Sequence, residues 1–313
     1  MCGNRLHCVW LLVWAAYAVA VTSTSAQDAG QALTQTGAAF QAALQRIDEA
    51  TIVWQADRPD MPLDRLLRWG HVPAVGHGAL VILSDGTRIV TVRDWAGAGP
   101  LRLDGEKLHF TSDVFGLTEC ARQDVEAIVI NPPPAADELQ KLIDALSQAD
   151  PRGDQVWTTT GDRITGKITS CDDDQLQMSA AGGDLALKVR SMRALRLNPL
   201  LVSPPLGLPQ YAVGFADGSL VNAPHFVAND SMLEIETSSG IRLLGNNVSD
   251  VTFWQRLAAS SIVYVSDRSV TDYRHEPYLD LTWPLAEDRN LTGGLLLANG
   301  QRYLKGLAMH SAA

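Results

Sequence analysis

Apolar and polar residues alternate along much of the chain, most clearly in residues 159–197. Apolar side chains recur there at every second position in four short runs, and turns rich in Gly and Asp separate the runs. This spacing places successive side chains on opposite faces of a strand, so each run is expected to bury one face in a core. The pattern predicts short antiparallel strands over 163–168, 175–178, 185–189 and 192–197.

The same order of turns and strands occurs in two further stretches, 83–134 and 215–256. Each copy opens with a Gly-containing turn, continues through an Asp-bearing turn and closes with an apolar strand. Gly and Asp suit tight hairpins because both tolerate positive φ. The spacing between copies is uneven, which disfavours a solenoid. We therefore predict a mainly β protein built from tandem small barrels that resemble Sm or SH3 folds.

Two segments have apolar residues at helical spacing. In residues 27–48 these are Leu33, Phe40, Leu44 and Ile47, which predict an amphipathic helix followed by a strand at 51–54. In residues 135–149 the residues Leu139, Leu142, Ile143 and Leu146 predict a second helix, which we interpret as a spacer.

These patterns divide the chain into eight segments. They are a signal peptide (1–26), an N-terminal helix and strand lead-in (27–82), a first β-repeat (83–134), a helical spacer (135–158), a second β-repeat (159–201), a Pro-rich linker (202–214), a third β-repeat (215–256) and a distinct C-terminal stretch (260–313).

The N-terminal stretch predicts export. Arg5 precedes an apolar run over residues 8–21, and small residues follow it at 24–26, as in a secretory signal. The run is short for a membrane span, and no later stretch is apolar enough to cross a bilayer. We expect a secreted or periplasmic protein with no integral membrane segment after signal cleavage.

Cleavage of that signal would leave two cysteines, Cys120 and Cys171, in neighbouring repeats. A disulfide between them suits an oxidising compartment, and two separate buried thiols are equally consistent with the sequence. Two cysteines without a histidine at ligand spacing do not make a zinc site, so we predict no metal and no cofactor.

The formal net charge of −10 and the scattered Lys and Arg residues argue against nucleic acid as a partner. The chain also lacks a nucleophile elbow, a P-loop and a His-Glu-x-x-His motif. No pair of carboxylates stands out as the acid and base of a glycosidase. The sequence therefore predicts a protein without enzymatic activity.

Residues 260–313 contain a series of short motifs. They are Tyr264-Val265-Ser266-Asp267, Trp283-Pro284, Asp288-Arg289-Asn290, Gly293-Gly294 and the run from Tyr303 to Ser311, in which an aromatic residue, Lys305-Gly306 and His310-Ser311 stand in that order. In these motifs the stretch resembles the novel putative carbohydrate-binding module (NPCBM) found in secreted bacterial proteins. The resemblance implies a galactose-binding-like β-sandwich. A complete sandwich needs roughly 100 residues or more, so we expect a partial, truncated module here.

The resemblance also implies site residues. Lys305, Gly306, His310 and Ser311 are expected to serve the fold. If a glycan binds, its sugar rings are expected to stack on aromatic side chains, for which the candidates are Tyr273, Tyr278, Trp283 and Tyr303.

Three functions follow from these observations. The first is a secreted, non-catalytic scaffold that binds carbohydrate through its C-terminal module and proteins through its β-repeats. The second is an accessory region of a glycoside hydrolase or other hydrolase. The third is a purely structural protein that makes contacts in an envelope assembly.

Overall fold

The computed structural model describes residues 29–56, 58–76, 78–92, 101–149, 152–258, 262–274 and 285–309. Within these ranges the chain forms antiparallel sheets and one α-helix. The mainly β class predicted from the sequence is therefore confirmed. The predicted signal peptide lies outside the described residues.

Four units of the same strand order follow one another, and we number them I to IV. Unit I contains β1 (Gly30–Thr34), β2 (Ala39–Ala42), β3 (Leu44–Ile47), β4 (Thr51–Trp54), β5 (Met61–Pro62) and β6 (Leu66–Gly70). Unit II contains β7 (Leu80–Leu83), β8 (Arg88–Val90), β9 (Arg102–Asp104), β10 (Lys107–Ser112), β11 (Gly116–Ala121) and β12 (Val125–Val129). Unit III contains β13 (Asp154–Thr158), β14 (Arg163–Cys171), β15 (Gln175–Ala180), β16 (Gly183–Lys188) and β17 (Met192–Arg196). Unit IV contains β18 (Tyr211–Phe215), β19 (Leu220–Ala223), β20 (His225–Asn229), β21 (Met232–Glu236), β22 (Arg242–Gly245) and β23 (Val251–Arg256).

The strands of every unit pair in one common order. The closing strand pairs with the first strand, the first with the second, the second with the third, and the third with the fourth. The second strand is divided into two strands in units I, II and IV, and it carries a bulge after Ile168 in unit III. A single turn of 3-10 helix precedes each closing strand, at Leu63–Arg65, Arg122–Asp124, Val189–Ser191 and Val248–Asp250.

The helix predicted within residues 27–48 is wrong, since this segment forms the first three strands of unit I. Ala32 and Thr34 are buried while Leu33 is exposed, which is the alternation of a strand. A turn at Gly37, whose φ is 82°, then reverses the chain into β2. The strand predicted at 51–54 is confirmed as β4. The segment predicted as a lead-in therefore holds a fourth copy of the repeated unit.

The closing strands join the units in two pairs. In the pair of units I and IV, β6 and β23 are antiparallel and Trp69 lies opposite Trp254. In the pair of units II and III, β12 and β17 are antiparallel and Ile128 lies opposite Leu195. All four residues occupy the fourth position of their strands, so each pair is centred on a local two-fold axis. The second strands also pair across each of these seams.

Buried hydroxyl groups join units II and IV. Thr87 and Ser219 each follow the glycine of their unit's first turn, and neither side chain is exposed. The Thr87 hydroxyl accepts the backbone N–H of Asn222 at 3.0 Å, and the Ser219 hydroxyl accepts that of Val90 at 2.9 Å. These bonds flank the pairing of β8 with β19. The joint is a third local two-fold contact, made by turns instead of closing strands.

One α-helix, α1 (Ala136–Ser147), lies between units II and III in the chain, which confirms the second predicted helix. Leu139, Ile143 and Leu146 are buried on one face of α1. They pack against Leu80, Ile82, Val90, Ala127, Val129, Trp157 and Ala194. The helix therefore covers the strands on either side of the seam between units II and III, and β13 of unit III begins before the predicted spacer would end.

We call the part of the chain after unit IV, described at residues 262–274 and 285–309, the C-terminal segment. Its described residues form four short strands in two two-stranded sheets. They are β24 (Ala286–Glu287), β25 (Leu296–Ala298), β26 (Gln301–Tyr303) and β27 (Leu307–Ala308). Asn299 and Gly300 both have positive φ and form the tight turn between β25 and β26. Arg289 forms an ion pair with Asp144, and Asp137 accepts the backbone N–H of Leu295 at 3.0 Å. The segment is thereby fastened to α1.

Asp217 is a titratable residue at the joint between units II and IV. Its carboxylate accepts hydrogen bonds from Ser112 Oγ, Ser219 Oγ and the Ser219 N–H at 2.8–3.0 Å. Burial raises its pKa, although the bonds from Ser219 and Ser112 partly oppose the rise. A raised folded-state pKa means that ionisation opposes folding, and this cost is absent below the unfolded pKa and complete above the folded pKa.

We therefore expect wild type to gain stability relative to Asp217→Asn as the pH falls from 7 towards about 4, the ordinary range of an Asp carboxyl. Urea unfolding of both proteins at several pH values measures this difference. The quantity compared is the free energy of unfolding of wild type minus that of Asp217→Asn. If it stays constant or decreases as the pH falls, the pKa of Asp217 is not raised in the folded protein.

Candidate functional site

The C-terminal segment, unit II, unit IV and α1 enclose a cleft of about 370 Å³, which we call the C-terminal cleft. It is lined by Gly86, Arg88, Gln140, Leu220, Asn222, Leu257, Asp288, Arg289, Gly294, Leu295, Leu296, Arg302, Tyr303, Leu304 and Lys305. Four of these residues are cations and one is a carboxylate. The cleft is therefore polar and predominantly positive, although the chain as a whole is acidic.

The predicted site residues fall in different places. Tyr303 and Lys305 line the C-terminal cleft, and Gly306 follows directly in the chain. Tyr273 is described and 37% exposed, but it is not part of the cleft lining. The remaining four, Tyr278, Trp283, His310 and Ser311, lie outside the described residues.

Lys305 connects three segments that carry the NPCBM resemblance. Its Nζ donates to Asp267 Oδ1 at 2.6 Å and to Asp288 Oδ2 at 3.1 Å. Asp288 Oδ1 also accepts the backbone N–H of Gly306 at 2.9 Å. Burial lowers the pKa of Lys305, but the bonds to Asp267 and Asp288 outweigh burial and raise it above its usual value. Lys305 is therefore a charged residue with two carboxylate partners.

Arg289 is paired in a similar way with the polar face of α1. It forms an ion pair with Asp144, whose other oxygen accepts a hydrogen bond from Gln140 Nε2 at 2.9 Å. Gln140 Oε1 in turn accepts from Arg88 Nη1 at 3.0 Å. This chain of hydrogen bonds links the C-terminal segment through α1 to unit II.

Arg88 and Arg302 are the other two cations of the cleft, and both side chains are partly buried. Burial lowers the pKa of Arg302 to about 10, and the positive charge of Arg88 adds to this effect. Burial also lowers the pKa of Arg88, which Asp144 and Glu126 partly offset and Arg289 reinforces. Both arginines stay protonated near neutral pH. They place two positive charges in one cleft.

Tyr303 stands beside this positive charge. The guanidinium of Arg68 lies over its ring, 4.7 Å from the ring centre, and Arg68 Nη2 donates to the Arg302 carbonyl at 3.4 Å. A cation in this position covers one face of the ring. A sugar ring that stacks on Tyr303 must therefore use the opposite face.

Cys120 and Cys171 are both buried and are not bonded to each other. Cys120 lies opposite Leu108, Leu108 opposite Leu103, and Leu103 opposite Cys171. The two cysteines are thus three strand spacings apart, about 14 Å, whereas a disulfide needs Cα atoms within about 7 Å. Burial raises the pKa of both thiols to about 12, which keeps them in the unreactive thiol form. Of the two arrangements considered from the sequence, the structure therefore has two separate buried thiols and not a disulfide.

A larger cavity of about 640 Å³ lies beside the seam of units I and IV, where Trp69, His71 and Phe215 contribute to its lining. None of the predicted site residues that the structure describes lines it. Throughout the described ranges, no group of three or more His, Cys, Asp or Glu side chains is placed to hold a metal ion. The single helix in this part of the chain is too short to cross a membrane.

No protein-family model matches this chain, and no curated protein matches it. The NPCBM resemblance of the C-terminal segment therefore remains a prediction from the sequence.

Sequence reasoning missed Arg88, Arg302 and Gln140 as residues of the site. Arg88 follows the first turn of a repeat, and Arg302 precedes Tyr303, so each appears in the sequence as an ordinary strand residue. The one local signal was the Asn299-Gly300 pair, which is typical of a hairpin and which places Arg302 and Tyr303 together on β26.

Proposed function

We propose that this chain is an exported, non-catalytic binding protein whose repeated units form a scaffold and whose C-terminal cleft holds a carbohydrate. The observation that carries the proposal is the C-terminal cleft itself, which combines an aromatic ring, Tyr303, with several side chains able to donate hydrogen bonds. Sugars are bound by this combination, because their C–H faces pack on aromatic rings and their hydroxyl groups pair with polar side chains.

The finer features of the fold are part of the same proposal. We infer that units I to IV are small barrels related to the Sm or SH3 type. Two shared features support this inference. The second strand is divided or bulged in every unit, and a 3-10 turn precedes each closing strand. We also infer that the C-terminal segment belongs to a galactose-binding-like module, and the contacts of Lys305 with Asp267 and Asp288 support its integrity.

Tyr303→Ala is expected to weaken carbohydrate binding about fivefold, since an aromatic contact of this kind contributes about 1 kcal/mol. The measurement is isothermal titration calorimetry with a panel of neutral and acidic oligosaccharides. Tyr303→Phe keeps the ring and should bind like wild type. Tyr273→Ala, at a predicted aromatic residue outside the C-terminal cleft, should also leave binding unchanged. Wild-type affinity in Tyr303→Ala would exclude the C-terminal cleft as the carbohydrate site.

A purely structural role in an envelope assembly is the second candidate, and one surface feature favours it. The connection from unit III to unit IV carries Leu200, Leu201, Leu206 and Leu208, which are 68–84% exposed. Backbone hydrogen bonds hold this loop in place, from the Ser203 N–H to Gln123 and from the Leu206 N–H to Ser238. A fixed, apolar surface loop is typical of a protein contact.

The third candidate, an accessory region of a hydrolase, uses the same C-terminal cleft as the first. It differs only in the catalytic domain to which the scaffold would be joined. The calorimetric test on Tyr303 applies to it without change, so no separate site is proposed for it.

A further inference from the structure

Within the described ranges, two of the four cations that line the C-terminal cleft have a carboxylate within ion-pair distance and two do not. Arg289 is paired with Asp144, and Lys305 with Asp267 and Asp288. Among the described residues, no carboxylate lies within ion-pair distance of Arg88 or Arg302. Arg289 and Lys305 thus form ion pairs, Arg88 has carboxylates only beyond ion-pair distance, and Arg302 has no described carboxylate that affects its pKa.

The hydrogen-bond donors of these arginines are also largely unused. A guanidinium carries five N–H donors. Arg88 donates one to Gln140 Oε1, and no described residue accepts a hydrogen bond from the guanidinium of Arg302. The other polar groups nearby are occupied, because Asn222 Nδ2 donates to the Asp85 carbonyl and the Gly294 N–H donates to Asn290. Arg289 also has spare donors, since only its Nη1 bonds to a described residue, so Arg88 and Arg302 differ from it in lacking a described carboxylate within ion-pair distance.

Two partly buried like charges are unfavourable for folding unless something pairs with them. Asp144 and Glu126 attract Arg88, but each serves another arginine as well, Arg289 and Arg196 respectively. Among the described residues, Arg88 is the one charged neighbour that affects the pKa of Arg302, and its effect is repulsive. The two positive charges therefore repel each other in the free protein, and an anion that contacts both guanidinium groups would offset this repulsion.

We propose that the C-terminal cleft binds an oxyanion between Arg88 and Arg302, and that this oxyanion is the carboxylate, sulfate or phosphate group of an acidic carbohydrate. Guanidinium groups match such oxyanions because two parallel N–H groups meet two oxygens. Tyr303 follows Arg302 in the chain and lines the same cleft, so one ligand can contact the ring and the charge together. The carbohydrate part of this inference rests on the proposed function, and the oxyanion part stands independently of it.

Calorimetry with a matched pair of ligands tests the charge. The ligands are tri-galacturonate and its methyl ester, which differ in the carboxylate charge. We expect the acid to bind at least tenfold more tightly than the ester, and Arg302→Gln to remove about tenfold of the affinity for the acid. Arg102→Gln is the matched control, because it removes an arginine from an exposed ion pair outside the cleft, and it should bind like wild type.

Inorganic sulfate tests the oxyanion without a sugar. At constant ionic strength, replacing chloride by sulfate should raise the melting temperature of wild type and of Arg102→Gln more than that of Arg302→Gln. Without sulfate, Arg302→Gln should melt at or above the wild-type temperature, because the repulsion by Arg88 is removed. If Arg302 had only a structural role, Arg302→Gln would melt at a lower temperature than wild type.

The outcomes separate the two proposals. Binding of the acid alone, lost in Arg302→Gln, supports both. Equal binding of acid and ester, unchanged in Arg302→Gln, overturns the oxyanion inference and leaves carbohydrate binding standing. Sulfate stabilisation that depends on Arg302, without binding of either saccharide, supports the oxyanion site and overturns the carbohydrate proposal. No binding and no sulfate effect overturns both.

Discussion

Trp254→Ala is expected to lower the free energy of unfolding by about 3–5 kcal/mol. Trp254 has no exposed surface and lies opposite Trp69 at the centre of the seam between units I and IV. Its ring also packs against Tyr211, with 5.2 Å between the ring centres. Removing the indole leaves a cavity where two units meet, so both units lose contacts. Urea unfolding monitored by circular dichroism measures the loss.

A pair of phenylalanine variants controls for the indole N–H. Trp254 Nε1 finds no hydrogen-bond partner among the described residues, whereas Trp69 Nε1 donates to the Ala42 carbonyl at 2.8 Å. Trp69→Phe therefore loses a buried hydrogen bond that Trp254→Phe does not, and it should destabilise the protein more than Trp254→Phe. If the two phenylalanine variants rank in the opposite order, or if Trp254→Ala costs under about 1 kcal/mol, the seam does not have the described packing.

Asp154→Ala is expected to have an effect of similar size, about 3–5 kcal/mol, because it leaves a partly buried arginine without its partner. Asp154 is 3% exposed and accepts from Arg122 Nη2 at 2.6 Å and from the Ile168 N–H at 2.7 Å. Its second oxygen accepts the Asn198 N–H at 2.8 Å. The carboxylate thus joins units II and III to the loop that follows them. Chemical unfolding again provides the measurement.

Asp104→Ala is the matched control for this second prediction. Asp104 also pairs with an arginine, Arg102, but both side chains are more than half exposed. Exposed ion pairs contribute about 0–1 kcal/mol, so its loss should be small. Similar losses in Asp154→Ala and Asp104→Ala would mean that Asp154 does not act as a buried junction.

Local chemistry explains why most strands could be predicted from the sequence. In residues 159–197 the turn residues and the alternation of apolar side chains lie next to each other, and β14 to β17 follow the predicted runs closely. The helix α1 was equally predictable, since its apolar face is continuous over Leu139, Ile143 and Leu146. Both signals need only neighbouring residues.

Unit I shows where local patterns mislead. Phe40, Leu44 and Ile47 fit helical spacing, but in the structure a turn at Gly37 and the end of β2 at Ala42 divide this stretch into separate strands. In the structure Leu44 and Ile47 are buried on β3, and this strand pairs with β20 of unit IV, which lies far along the chain. A core built from such distant strands leaves no mark in a short window of sequence.

The C-terminal cleft was predictable only in part. Tyr303 and Lys305 were identified through the NPCBM resemblance, while Arg88 belongs to a different unit and reaches the cleft through the placement of the C-terminal segment on α1 and unit II. Pairing of cations with carboxylates is a property of three-dimensional contacts. The sequence therefore could not show that Arg289 and Lys305 form ion pairs with described carboxylates and that Arg88 and Arg302 do not.

Amide hydrogen exchange, measured by mass spectrometry with and without tri-galacturonate, tests the central claim most directly. We expect the ligand to slow exchange in residues 86–90 and 285–309, which carry Arg88, Arg302 and Tyr303, and to leave unit III unchanged. Slowed exchange confined to another region, such as the cavity beside Trp69, would contradict the assignment of the C-terminal cleft as the binding site.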